Sequence, residues 1–248
     1  MKRLLSITGI VLLALTGLLW FAFSNKKNSA SASGVALVEL FTSEGCSSCP
    51  PADEALAAAA KAWPANVFVL GYHVDYWDRL GWKDAFSSAA WTARQNQYAS
   101  HLHLNSIYTP QAIVNGKTEF TGSDKAKLYK TIEQELTIPV NVSLNLDAHS
   151  NPDKSITVWY KLSPAPGYTL NIALVQRNAD TPVKRGENEG KLLHHINIVR
   201  DLKTVPAAAG SLSFRLPAGL SAAGCSLIAF LQNNSTLAVS AATQTSVH

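Results

Sequence analysis

Apolar residues fall along this chain in changing rhythms, and the changes mark its parts. An unbroken apolar run spans Leu4 to Phe23 with no charge inside it, and a polar, small-residue linker, Ser24–Gly34, follows. Val35–Phe41 is a short apolar run with one charge, Glu39, which suits a central strand buried on both faces. Pro50-Pro51-Ala52-Asp53-Glu54 opens a helix: proline is tolerated in the first turn, and the acids complement the positive end of the helix dipole. The alanine-rich stretch carries that helix to Ala62, and Trp63-Pro64 stops it. Val67–Val74 reads as a second buried strand, Asp75–Trp82 as an aromatic and acidic loop, and Ala85–Tyr98 as a helix. Asn115-Gly116 lies within the strand-like stretch Gln111–Phe120 and predicts a hairpin with a primed turn. Asp124–Leu136 reads as a closing helix, with Leu128, Ile132 and Leu136 at four-residue spacing.

The rhythm changes at Ile138-Pro139. From there the runs alternate with turn residues: Val140–Leu146, Ser155–Leu162, Tyr168–Val175, His195–Val199, Ser211–Leu216, Cys225–Leu231 and Leu237–Ala242. Short strands without a helical period predict an antiparallel β-sandwich of about 100 residues. The expected organisation is therefore a leader and linker over 1–33, an α/β domain over 34–138, and an all-β, sandwich-like domain over 139–248.

Lys2-Arg3 before the apolar run and Ser29-Ala30-Ser31-Ala32-Ser33 after it form a secretory pattern. The run is also long enough to span a bilayer, so a cleaved signal and an N-terminal membrane anchor through residues 4–23 both stand. In either case the body is expected to be exported, periplasmic or secreted. No cysteine closely follows the run, which argues against a lipid-anchored lipoprotein. Removing Lys2, Arg3, Lys26 and Lys27 takes Lys+Arg from 21 to 17, equal to the 17 Asp+Glu. The net charge of +4 thus belongs to the leader, and no nucleic-acid partner is expected.

Cys46-Ser47-Ser48-Cys49 sits between the first strand and the first helix. That junction is where thiol–disulfide chemistry places a CxxC, because a helix N-terminus favours the thiolate. A structural disulfide, half a zinc site or two unrelated thiols are the other readings of the motif. Cys225, the third cysteine, reads as a small buried residue of a strand, with a resolving thiol as the alternative.

The order of strand, CxxC, helix, strand, helix, a strand entered through Tyr108-Thr109-Pro110, a hairpin partner and a last helix resembles the thioredoxin fold with its helical insertion. That resemblance implies a cis-proline at Pro110 facing the CxxC. The segments Val38–Asp53, His73–Asp78, Tyr108–Gln111 and Val114–Gly116, with Gly186–Gly190 and His195–Arg200, resemble the bacterial exported domain-of-unknown-function family 1223. The resemblance implies a thioredoxin-like fold with a β-rich tail and supplies no function. Ser47-Ser48 stands where thioredoxins carry Gly-Pro. Pro50-Pro51 are expected to push Cys49 and Pro50 out of helical geometry, and Glu44 and Asp53 to oppose a thiolate.

On this reading Cys46 is the exposed attacking sulfur, Cys49 resolves, and Thr109-Pro110 presents backbone to an extended substrate. Glu39 is either a proton shuttle below the CxxC or a paired core acid. His73, Asp75, Tyr76, Trp77 and Asp78, with Tyr108, either line a binding cleft or stiffen a loop. His194, His195 and Arg200 read as surface or core positions. The expected function is a thiol–disulfide oxidoreductase acting on a protein thiol or disulfide, with no cofactor. One alternative is a non-enzymatic binding module stapled by Cys46–Cys49, with a protein or carbohydrate-like ligand. The other is a copper-handling protein using Cys46, Cys49 and His73, although no second CxxC or HxxxH completes a metal site.

Overall fold

The computed structural model describes residues 34–248. The expected signal or anchor lies outside the described residues. Among the described residues, no helix is long and apolar enough to cross a membrane.

The first strand, β1 (Ala36–Thr42), is buried at every position, which accounts for its continuous apolar run. Its even-numbered residues Val38 and Leu40 face one helical layer. That layer comprises α1 (Pro50–Ala62), through Ala52, Ala55, Leu56 and Ala59, and α3 (Lys125–Leu136), through Leu128 and Ile132. Its odd-numbered residues Leu37 and Phe41 face the opposite layer. There α2 (Ala89–His101) contributes Trp91 and Tyr98. Parallel pairing joins β1 to β2 (Val67–His73), and antiparallel pairing joins it to β3 (Gln111–Val114), which turns through Asn115-Gly116 into β4 (Thr118–Thr121).

The remaining strands are β5 (Leu144–Ser150), β6 (Ser155–Leu162), β7 (Tyr168–Pro182), β8 (Leu192–Pro206), β9 (Gly210–Arg215), β10 (Cys225–Asn233) and β11 (Val239–Ser246). They do not close on themselves as a separate sandwich. The main sheet has eight strands in the order β11-β10-β7-β8-β2-β1-β3-β4, and β5-β6-β9 form a three-stranded sheet of their own. The link across the halves is a parallel contact of β8 with β2 at Gly71 and Ile198. This pairing covers what would be an open edge of β2. Residues 34–248 accordingly lie in one compact unit, and the sheet is shared across the boundary expected near residue 138. The sandwich-like part survives locally: Ile156, Val158 and Phe214 of the small sheet pack on Leu170, Ile172, Leu174, Leu227 and Ala229 of the large one.

β7 and β8 are each 15 residues long, much longer than the strand runs expected from sequence. Their far ends and the loop 183–191 reach back to the start of α1, where the CxxC lies.

Candidate functional site: a covered disulfide

The chain leaves β1 at Thr42 and turns tightly, with Cys46 N–H donating to Ser43 O at 3.1 Å and Cys49 N–H to Cys46 O at 3.1 Å. Cys46 and Cys49 are joined as a disulfide, with Cα atoms 5.4 Å apart. Cys49 is the N-cap of α1 and keeps helical dihedrals (φ −78°, ψ −38°), contrary to the expected push from the two prolines. The local bond to Cys46 and the start of the helix at Pro50 hold it there. Pro50 and Pro51 lack N–H groups, and Ala52 N–H and Asp53 N–H donate to Cys49 O at 2.8 and 3.2 Å. The first turn therefore offers few free N–H groups to the sulfurs.

Both cysteines are fully buried, whereas Ser47 and Ser48 between them are exposed. This corrects the expectation of an exposed Cys46. The cover comes from the β7–β8 loop. Asn188, itself buried, donates through Nδ2 to the carbonyl oxygens of Glu44 and Cys46, both at 2.9 Å. Glu187 accepts from Ser47 N–H at 3.0 Å, and the Ser47 side chain together with that N–H holds its carboxyl below the usual carboxylate range. Gly186, at φ +81°, passes so near Trp82 that a Cβ would lie 3.3 Å from the tryptophan Cβ. The Trp82 indole N–H donates to Glu44 Oε2 at 2.7 Å.

A cluster of charged and aromatic side chains lies beside the motif. His195, on β8, has Nε2 3.6 Å from Glu44 Oε1 and Nδ1 3.6 Å from Asp53 Oδ2. Burial disfavours its charged form, but the carboxylates of Asp53 and Glu44 outweigh that and lift its pKa to about 9. The His73 and His195 rings meet edge to face at 4.8 Å, and Phe86 packs on both. His73 Nδ1 is 2.6 Å from Asp84 Oδ2, which also accepts from Glu44 N–H at 2.9 Å. Burial alone would raise the Asp84 carboxyl, yet His73 and the backbone N–H groups of Glu44 and Phe86 hold it below its ordinary value.

The Thr109–Pro110 peptide is cis. Trp77 ties this segment to the CxxC turn: its indole N–H donates to Thr109 Oγ1 at 2.8 Å, and its Cβ lies 3.4 Å from where a Cβ on Gly45 would be. Beneath, Ala52 and Pro110 close around Gly122, whose N–H donates to Pro110 O at 2.9 Å.

Other sequence candidates sit elsewhere or hold one another. Glu39 accepts from Arg94 Nε at 2.5 Å, from Arg94 Nη2 at 3.0 Å and from the Tyr98 hydroxyl, within the core on the α2 side of β1. Its carboxylate is fully engaged. Asp75 accepts from Thr92 Oγ1 at 2.6 Å, and Asp78 from Ser87 Oγ and Asp84 N–H. Tyr76 is half-buried, and burial pushes its phenol up to about 12. Tyr108 donates to Glu119, which also takes Gln111 Nε2 at 2.8 Å. Cys225 is a free thiol packed among Leu227 and Ala229 between the sheets, and burial pushes its pKa up. Among the described residues, no group of three or more His, Cys, Asp or Glu is arranged to hold a metal ion. Sequence reasoning gave no role to Asn188, Trp82 or Asp84, although Asn188 lies in the family-like segment Gly186–Gly190 and Trp82 ends the aromatic loop. His195, at the start of the family-like segment His195–Arg200, was read as a surface or core position.

These features define a mixed α/β protein with a large mixed sheet and a CxxC disulfide roofed by its own β-hairpin. The chain belongs to the family described as "Protein of unknown function (DUF1223)", which it matches over residues 37–232. It is similar to the crystal structure of protein AGR_C_4864 from Agrobacterium tumefaciens, with 30% identity and a TM-score of 0.65 over 85% of this chain and 94% of that one. It shares its fold with HBP35 of Porphyromonas gingivalis, at 18% identity and a TM-score of 0.60, over 88% of this chain and 76% of that one. A comparison with curated proteins finds no match.

Proposed function

We propose that this protein is an exported thiol–disulfide oxidoreductase of thioredoxin-like architecture, with Cys46–Cys49 as its redox couple and a protein thiol or disulfide as its substrate. The observation that carries the reading is the disulfide-bonded CxxC at the head of α1, tied through Trp77 to the Thr109–Pro110 segment. The strand order β2-β1-β3-β4, with α1 and α3 on one face and α2 on the other, supports the fold assignment. Lys2-Arg3 and the apolar run to Phe23 support export, with a membrane anchor through residues 4–23 as one form of it. In this reading the 183–191 loop lifts to admit the partner. A substrate thiolate attacks one sulfur of the couple, the Cys46–Cys49 bond breaks as a mixed disulfide forms, and the substrate's second thiolate then displaces that cysteine, so that the substrate leaves as a disulfide and the couple is left reduced.

Complete burial of both sulfurs favours a second reading, in which the bond is a staple and the chain is a binding module. One pair of measurements separates the two: the reduction potential of Cys46–Cys49, and the rate at which the reduced protein cleaves disulfides in insulin. A potential within the range of exchange proteins, with turnover abolished by Cys46→Ser, supports the enzyme. A potential below about −300 mV with no turnover assigns the staple.

A further inference from the structure

From the other half of the chain, His195 reaches the two carboxylates that flank the CxxC. It is nearly fully buried, it lies between two carboxylates, and both of its ring nitrogens are 3.6 Å from a carboxylate oxygen with no closer partner. Those carboxylates bracket the motif in sequence: Glu44 is two residues before Cys46, and Asp53 is four after Cys49, on the next turn of α1. Two negative charges, one fully buried and one largely buried, oppose any thiolate formed there. The usual counterweight, free N–H groups at the helix start, is diminished by Pro50 and Pro51. The other ionisable groups facing His195 are His73 on β2, already held by Asp84, and Arg200, whose guanidinium stacks on the far neighbour Phe86. No other cation is recorded against Glu44 or Asp53 among the described residues.

We propose that His195 is the positioning residue of the Cys46–Cys49 couple: its imidazolium, held between Glu44 and Asp53, neutralises the carboxylates flanking the cysteines and sets how readily the reduced pair forms a thiolate. The inference rests on the redox reading above and adds the β-rich half as a working part of the site. In the reaction concerned, an incoming dithiol passes two electrons to the chain and leaves as a disulfide. The S–S bond between Cys46 and Cys49 becomes one thiol and one thiolate, and one proton goes to solvent. The imidazolium favours that ionised product.

The test titrates the thiolate of the fully reduced protein by its ultraviolet absorbance. His195→Gln should move the thiolate titration up by about one pH unit, a tenfold smaller thiolate fraction below it. Exchange at neutral pH should slow in parallel and recover as pH rises. Asp53→Asn, which keeps His195 and removes one carboxylate, should move the titration down. It keeps the proposal testable if His195→Gln does not fold. Titrations unchanged in both variants, or displaced in the same direction, would overturn the proposal. Opposite displacements in a protein that exchanges with no substrate would sustain the role of His195 and refute the enzymatic reading. A wild-type protein that exchanges, with unmoved titrations in the variants, would do the reverse.

Discussion

Asn188 donates to the carbonyl oxygen of Cys46 at 2.9 Å across 142 residues of sequence. With its second bond, to Glu44 O, it closes the loop of the β7–β8 hairpin over the disulfide. The amide is held in place from behind by Lys191 Nζ, which donates to Asn188 Oδ1 at 2.9 Å.

Asn188→Ala removes both donors and leaves two carbonyl oxygens under the loop without their partner. A buried group left unpaired costs about 1–3 kcal/mol. The loop should open more often, and a small dithiol should reduce Cys46–Cys49 about tenfold faster or more. Reduction followed by mass-resolved thiol labelling measures this. A rate equal to that of wild type would show that Asn188 does not hold the cover.

Stability should fall at alkaline pH because of His195. Its pKa is raised from 6.5 to about 9 in the folded state, so the folded protein binds the proton more tightly than the unfolded chain. The resulting stabilisation is fully present below about 6.5 and is lost as pH rises through about 9, by an amount on the order of 3 kcal/mol. Urea unfolding across that window should show the slope, and His195→Gln should flatten it. Asp84 acts in the opposite sense. Its carboxyl is held below 3.8, so its contribution is present above that value and disappears as pH falls through the lowered one.

Glu39→Gln should lower the unfolding free energy by about 3 kcal/mol, since it leaves Arg94 in the core without its counter-charge. The exchange rate of the molecules that remain folded should not change, because Glu39 is committed to Arg94 and Tyr98. Denaturant titration and an insulin-reduction assay on the same preparation read both quantities. Slowed turnover with intact stability would return Glu39 to the proton pathway.

Gly116→Ala should destabilise the union of the two halves. Gly116 has φ +66°, and a Cβ there would fall 2.0 Å from the Leu237 carbonyl oxygen, next to the bond from Val239 N–H to Asn115 O. Neither backbone can yield easily, so a loss of about 2–4 kcal/mol is expected in chemical unfolding. A neutral effect would mean that the β3–β4 turn and the β10–β11 turn at Leu237 separate at little cost.

Much of the first half was legible because its signals are local. The apolar run of β1, the prolines that open α1, the Asn-Gly turn between β3 and β4 and the spacing of Leu128 and Ile132 each act within a few residues. The strands of the second half were also readable as short apolar alternations, but their partners were not. Alternation says which face of a strand is buried and leaves open which sheet it joins. Hence β7, β8, β10 and β11 were expected in a sandwich of their own and instead extend the sheet begun by β2 and β1.

The site divides in the same way. By itself, the sequence determined that Cys46 and Cys49 lie close enough to bond, that a strand precedes them and a helix follows, and that Thr109-Pro110 leads into the hairpin strand. Spacing along a regular backbone is enough for that. Only the tertiary structure decided that the disulfide is covered, that Glu39 is engaged elsewhere, and that Glu44 and Asp53 share His195. The first and last of those facts depend on β8 meeting β2 at Gly71, a contact between residues more than a hundred positions apart, and the second on α2 packing across β1; all three are set by packing of whole elements and by no local pattern.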